Sequence, residues 1–236
     1  MKKITTFYHY WIPDDFRALF WYWWMDEQLE AIKQSKLYQV SDIHMHICMP
    51  VYWNIDPRGI QFQANKTLEP ILFRDKVEEY IRYKYPWVKT TYHDLTPEHQ
   101  FEGHTLVPLW EHAKQNPDQY VVYVHAKGVC SSSPQVKMWR EALNTEMITK
   151  WPERVADMSD TQVLAVKDST VRIDATQFWT HASGNFFWAN TDYIASLQKP
   201  IYPDRYDYER WITSRAPEMK FVLDTNTDHF SDYYGD

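Results

Sequence analysis

Residues 120–128 read YVVYVHAKG, five residues of strand character that run into a histidine, a lysine and a glycine. Tyr120, Val121, Val122, Tyr123 and Val124 leave no polar face, which predicts a central strand covered on both sides. In open α/β sheets ligands bind beyond the carboxyl ends of the strands. This end offers an imidazole (His125), an ammonium (Lys127) and a flexible turn residue (Gly128), a set that suits an anionic ligand. The plainer alternative is a strand capped by a solvated turn, because His and Lys at strand ends are common.

Two further stretches carry residue types that could act on a ligand. Residues 181–193, HASGNFFWANTDY, place small residues directly before an aromatic run, so the backbone around Gly184 can approach a ligand closely. Gly128 and Gly184 are two of only five glycines, and both fall in these motifs. In residues 43–51, IHMHICMPV, His44 and His46 alternate with apolar residues and share one face of a strand. That spacing permits a shared metal, but no third ligand lies nearby in sequence, and polar positions facing a helix or solvent are the better reading.

The elements that must position these residues follow an alternating pattern. Residues 4–10 read as a first strand. Asp14 and Asp15, after Pro13, open an aromatic-rich amphipathic helix that carries Leu19, Trp23, Leu29 and Ile32 and runs to Leu37. The strand at 43–51 follows, then a loop over 54–66, a charged helix at 74–85, a strand at 88–92 and a helix around 109–114 that Pro117 and Asp118 stop. Strand, helix, strand in this order predicts an α/β fold with a mostly parallel central sheet flanked by crossover helices. Beyond the HAKG stretch, Ser133 and Pro134 make a helix start, and Val136, Trp139, Leu143, Met147, Trp151 and Val155 form an apolar stripe with a break expected near Pro152. Arg140 lies beside that stripe, within reach of the sheet edge. Residues 162–167 read as a strand, 168–179 as a hairpin or loop, 207–212 as a helix start centred on Glu209, and 221–223 as a last strand.

Composition bounds the partners. The chain of 236 residues is long enough for one domain spanning 1–236 with a sizeable core. Its 25 Lys and Arg against 32 Asp and Glu leave a net charge of −7 with no basic run, which argues against a nucleic-acid partner. Aromatics at 17%, with 12 Trp, exceed ordinary usage; most must be core, but displayed ones would stack on sugar C–H faces, which favours a carbohydrate ligand. Cys48 and Cys130 alone do not make a disulfide framework. With no signal-peptide pattern at MKKITTFYHYW and no apolar run near the roughly 20 residues of a membrane span, a soluble, cytoplasmic protein without a transmembrane segment is expected.

Taken in order, YVVYVHAKGV, Trp139–Arg140, HASGNFFWANTDYI, YDYERWI and the closing NTDHF resemble a GT-A-fold nucleotide-sugar glycosyltransferase. The chain is similar to bacterial and large-DNA-virus transferases with HxKG and SGNFWWA-type motifs, whose fold relative is the amino-terminal domain of a multidomain chlorovirus glycosyltransferase. The resemblance covers about the last half of the chain and, more thinly, FYHYW at its start. It implies a GT-A-like (Rossmann-like) fold and four functional stations. Where the family holds a divalent metal with Asp-x-Asp, this chain has His125-Ala126-Lys127. Cations in place of hard oxygen ligands imply metal-independent neutralisation of the donor diphosphate by His125, Lys127, Gly128 and Arg140, with Mn²⁺ or Mg²⁺ bound by other residues, such as Asp228 and His229, as the alternative. Ser183, Gly184 and Asn185 match the loop beside the donor and acceptor sugars. Glu209, with Asp207 as the near alternative, matches the base of inverting members, and His229 the histidine that touches the diphosphate. Tyr8 and His9 stand where the nucleobase lies. The implied partners are a UDP-, GDP- or dTDP-sugar donor and a glycan or other hydroxyl acceptor. Two readings compete with sugar transfer: a non-catalytic nucleotide- or carbohydrate-binding module that retains the fold, and a retaining glycosidase, which the cationic strand end and parallel-sheet order disfavour.

Overall fold

A computed structural model of the chain describes residues 1–12, 20–50, 70–95, 102–126, 133–172, 178–202 and 205–223. Four strands, β1 (Ile4–Trp11), β2 (Ser41–Pro50), β3 (Val88–Leu95) and β4 (Tyr120–His125), pair in parallel, with β1 between β2 and β4. Three helices connect them: α1 (Trp21–Gln34), α2 (Pro70–Lys84) and α3 (Gly103–Gln115). β1 and β4 are buried almost throughout because helices cover both faces of the sheet. Alternate residues therefore feed two separate cores. Tyr8, Tyr10, Val122 and Val124 pack with Met25, Leu29 and Ile32 of α1 and Val77 and Ile81 of α2; Phe7, Val121 and Tyr123 pack with Leu106, Leu109 and Ala113 of α3.

The second half completes the layers. α4 (Pro134–Asn144) begins at Pro134, where a missing N–H removes no helical bond, and Ser133 before it takes the extended backbone of a cap. The expected break near Pro152 falls earlier. Residues Thr145–Thr149 make π-type bonds, and Pro152 sits harmlessly in the first turn of α5 (Trp151–Asp157). Trp139, Leu143, Met147 and Ile148 join the core on the α1 side. β5 (Val163–Ala165) follows, and the stretch read as hairpin or loop is an antiparallel pair, β6 (Asp168–Arg172) with β7 (Phe178–Ala182), standing apart from the main sheet.

A single 3₁₀ turn, Ser183–Asn185, leads into β8 (Phe187–Asn190), which runs antiparallel between β4 and β5. Then come α6 (Thr191–Ser196), α7 (Arg205–Arg210) and β9 (Met219–Phe221), the last parallel to β5. The sheet order is β3-β2-β1-β4-β8-β5-β9, the helix-flanked, mostly parallel sheet expected of a GT-A-like (Rossmann-like) α/β fold. Most aromatics serve the cores: Trp188 and Trp211 are fully buried, while Trp23 at the start of α1 is 58% exposed. Among the described residues, no helix is long and apolar enough to cross a membrane, and Cys48 is a buried free thiol.

Candidate active site

Three motifs that lie far apart in sequence meet around Glu102, the residue that precedes α3. The His125 ring, at the last residue of β4, turns inward: its Nε2–H donates to the Gly184 carbonyl at 2.7 Å, and its Nδ1 lies 3.4 Å from Glu102 Oε1. Asn185 Nδ2 donates to the other Glu102 oxygen. The carboxylate is only 6% exposed. On the opposite face of the sheet, Gln28 Nε2 donates to the His125 carbonyl at 3.0 Å and to Asn144 Oδ1 at 3.2 Å, so ring and backbone of His125 are both fixed. The YDYERWI stretch arrives through α7. Tyr208 packs so tightly on Gly103 that a Cβ there would lie 2.8 Å from the phenol oxygen. The first turn of α3 thus touches the strand end, the SGN turn and α7 together.

The SGN turn depends on its glycine. Gly184 has φ +77°, and a Cβ there would lie 2.8 Å from Leu143 Cδ1 and 3.1 Å from Trp139 Nε1. Ser183 donates its N–H to the Lys167 carbonyl at 2.9 Å, and Asn185 also has positive φ, at 51°. All three residues are buried, and Asn185 Oδ1 has no hydrogen-bond partner among the described residues. Gly184→Ala is expected to destabilise the protein by about 3 kcal/mol, combining backbone strain with overpacking against Leu143. Equilibrium urea denaturation would measure it; a loss under about 1 kcal/mol would mean that α4 yields easily.

The other expected site residues divide. Lys127, Gly128, Asp228 and His229 lie outside the described residues. Arg140, expected at the sheet edge, instead holds Glu27 of α1 in a two-pronged pair, Nε to Oε1 at 2.9 Å and Nη2 to Oε2 at 2.9 Å, and is 4% exposed. A diphosphate reaching it would have to displace Glu27. Of the two acidic candidates on α7, Glu209 lies near enough to Tyr123 of β4 for its charge to help hold that phenol protonated, after burial, the Glu102 carboxylate and Cys48. Asp207 stands 3.9 Å from Arg210, and its charge acts on Tyr202. The expected nucleobase contact is not offered by Tyr8 or His9. Strand alternation sends Tyr8 into the α1 core, 0% exposed, and His9 under α3, also buried. His125 likewise directs neither ring nitrogen outward, because each already faces a protein acceptor.

His9 belongs to a layer of imidazoles beneath α3. Its Nδ1 bonds Thr105 Oγ1 at 2.8 Å and lies 3.9 Å from Cys48 Sγ. His46 Nδ1 bonds His93 Nε2 at 3.0 Å, and His93 stacks on His104 at 4.6 Å between centroids. Burial first, then the neighbouring imidazoles, lowers the pKa of His9 and of His46 to about 3, and that of His93 to about 4. Burial also raises the Cys48 thiol's pKa. His44, on the same strand face as His46, stacks on Phe7. Among the described residues, no group of three or more His, Cys, Asp or Glu side chains is arranged to hold a metal ion. The donor set at the strand end, His-Ala-Lys in place of two carboxylates, does not fit a divalent cation either.

Glu102 is the site residue that the sequence did not reveal. Its one signal was an acidic residue at a helix start just past the third strand, a placement shared by many solvated carboxylates.

The chain is similar in fold to the crystal structure of 4-diphosphocytidyl-2C-methyl-D-erythritol synthase, with 14% sequence identity and a TM-score of 0.41 over 95% of this chain and 91% of the other. No curated protein matches it. A family model matches residues 7–235, nearly the whole chain, and the protein accordingly belongs to the family described as a domain of unknown function, DUF8361.

Proposed function

We propose that this protein transfers a sugar from a nucleotide-diphosphate donor to a hydroxyl acceptor on a glycan, by direct inverting displacement and without a bound metal. The observation that carries the reading is the convergence of the β4 end and the SGN turn on one buried carboxylate, with α7 packed on the next residue, Gly103, at the C-terminal edge of the parallel strands, where such sheets bind ligands. Asn185 Oδ1, buried and open to a new donor, suits a ligand hydroxyl. Glu209 accepts the acceptor hydroxyl's proton as that oxygen attacks the anomeric carbon. The bond from that carbon to the diphosphate oxygen breaks, and the leaving group takes the electron pair. Lys127, two residues past the His125 staple in sequence, is the cation assigned to the departing charge, with His229 as a second.

The competing reading, a non-catalytic nucleotide- or carbohydrate-binding module, draws on the absence of an Asp-x-Asp at residues 125–127. Calorimetric titration with UDP, GDP and dTDP, with and without Mn²⁺, tests what both share. One nucleotide is expected to bind equally well in either condition and at least tenfold more weakly to Lys127→Ala. Failure of all three to bind would overturn the proposal, and binding only with Mn²⁺ would overturn its metal-independent form.

A further inference from the structure

The proton count around His125 is fixed by its partners. A carbonyl oxygen can only accept, so the 2.7 Å contact with Gly184 requires a hydrogen on Nε2. Nδ1 then faces a Glu102 oxygen at 3.4 Å, with both side chains buried. An ordinary neutral imidazole would aim a lone pair at a carboxylate there, two acceptors facing each other away from water. One additional proton must be shared by the pair. Two observations place it on the ring. Glu102 stands at the N-terminal end of α3, a helix of 13 residues, where the unpaired N–H groups favour a negative charge. Asn185 Nδ2 also donates to the second carboxylate oxygen, satisfying the anion further.

We infer that His125 is an imidazolium at neutral pH, paired with a buried Glu102 carboxylate, and that this pair is the positioning device that holds the SGN turn against the end of β4. The ring acts through its two hydrogens: one ties Gly184, the other ties Glu102, which in turn ties Asn185. The turn is therefore held at consecutive residues by one acid and one base. Neither residue touches the reacting atoms, and the positive ring adds little net charge to the edge because its counter-ion is adjacent. The charge state stands on geometry alone; its bearing on sugar transfer rests on the function proposed above.

Nitrogen-15 NMR of ring-labelled protein at pH 7.5 reads the proton directly. Both His125 nitrogens are expected to show N–H type shifts, and Glu102→Gln, whose amide can donate to Nδ1, is expected to turn that nitrogen into an unprotonated, pyridine-type one. An unprotonated Nδ1 in the unaltered protein would overturn the inference, and that single spectrum decides the charge even if the variant does not fold. For the positioning role, Glu102→Gln is expected to weaken the nucleotide that binds the unaltered protein at least tenfold, with Glu102→Asp recovering part of the loss. Unchanged affinity in a variant whose ring has lost its proton would overturn that role. Absence of nucleotide binding by the unaltered protein would instead count against sugar transfer and leave the protonated ring standing.

Discussion

Glu209→Gln is expected to lower turnover of a bound nucleotide sugar by about 100- to 10,000-fold, the range that a positioned general base contributes. Affinity for the nucleotide should stay within a fewfold, because the substitution keeps the shape of a partly exposed side chain on α7 and removes only its capacity to accept a proton. Asp207→Asn serves as the comparison. That carboxylate lies beside Arg210 and acts on Tyr202, whereas the charge of Glu209 is felt by Tyr123 two residues before the β4 end. Its substitution should change turnover less than fivefold. Product released per enzyme over time, followed for each variant with the nucleotide sugar that binds, distinguishes the cases. Equal losses in both variants would reject Glu209 as the base, and no turnover by the unaltered protein would favour the binding module.

Acid should weaken the fold well before carboxylates titrate. His9 and His46 are buried with pKa values of about 3, against 6.5 in an unfolded chain. Above pH 6.5 both states hold these rings neutral. As pH falls below 6.5 the unfolded chain takes up protons that the folded one refuses, so stability is lost progressively until the folded values are reached. At pH 5 this amounts to about 2 kcal/mol for each ring, or about 4 kcal/mol for the two. The groups that face them support the refusal: Cys48 and His93 lie close, His104 stacks on His93, and Thr105 gives His9 a neutral partner. Asp42 acts in a separate window. Its bonds to Lys89 and Lys3 lower its pKa to about 2, and that contribution is lost only below pH 4. His93, with a pKa of about 4, adds a like contribution, so denaturation midpoints at pH 7.5 and pH 5 should differ sharply in the unaltered protein and by about a third less in His46→Gln. A midpoint unchanged between these two pH values would mean that the layer admits protons without opening.

The contrast between what was legible in the sequence and what was not follows the range of each interaction. β1 and β4 could be read because they carry apolar and β-branched residues on both faces, and β2 because its histidines alternate with apolar residues, with helical patterns between. The SGN turn was marked by one of five glycines, and its positive φ is a local property. Glu102 could not be recognised, since its partners His125 and Asn185 lie 23 and 83 residues away (125 − 102 and 185 − 102) and nothing local distinguishes it from an exposed helix-start carboxylate. The pairing of His44 with His46 was visible as strand alternation, but the imidazole layer also needs His9, His93 and His104, which come from other elements and meet only through sheet register and the crossing of α3. Arg140 was expected at the edge because a guanidinium beside an apolar stripe has reach; Glu27 on a different helix decides where it goes.

The reversed direction of β8 gives the sheet an addressing rule. A strand parallel to β4 in that place would begin at the amino edge and deliver the preceding turn to the wrong side of the molecule. Running backwards, β8 is entered at the carboxyl edge, so the SGN turn is set down where β4 ends. The register makes the delivery specific to one residue: Tyr123 pairs with Phe187, and counting outward in both chains sets His125 level with Asn185. A one-residue insertion between Asn185 and Phe187 would leave every strand paired, yet it would present the histidine with a different turn residue and detach the motifs from each other. The two halves of the site are thus joined by arithmetic along a ladder, and the spacing from Asn185 to Phe187 should tolerate changes of residue type far better than changes of length.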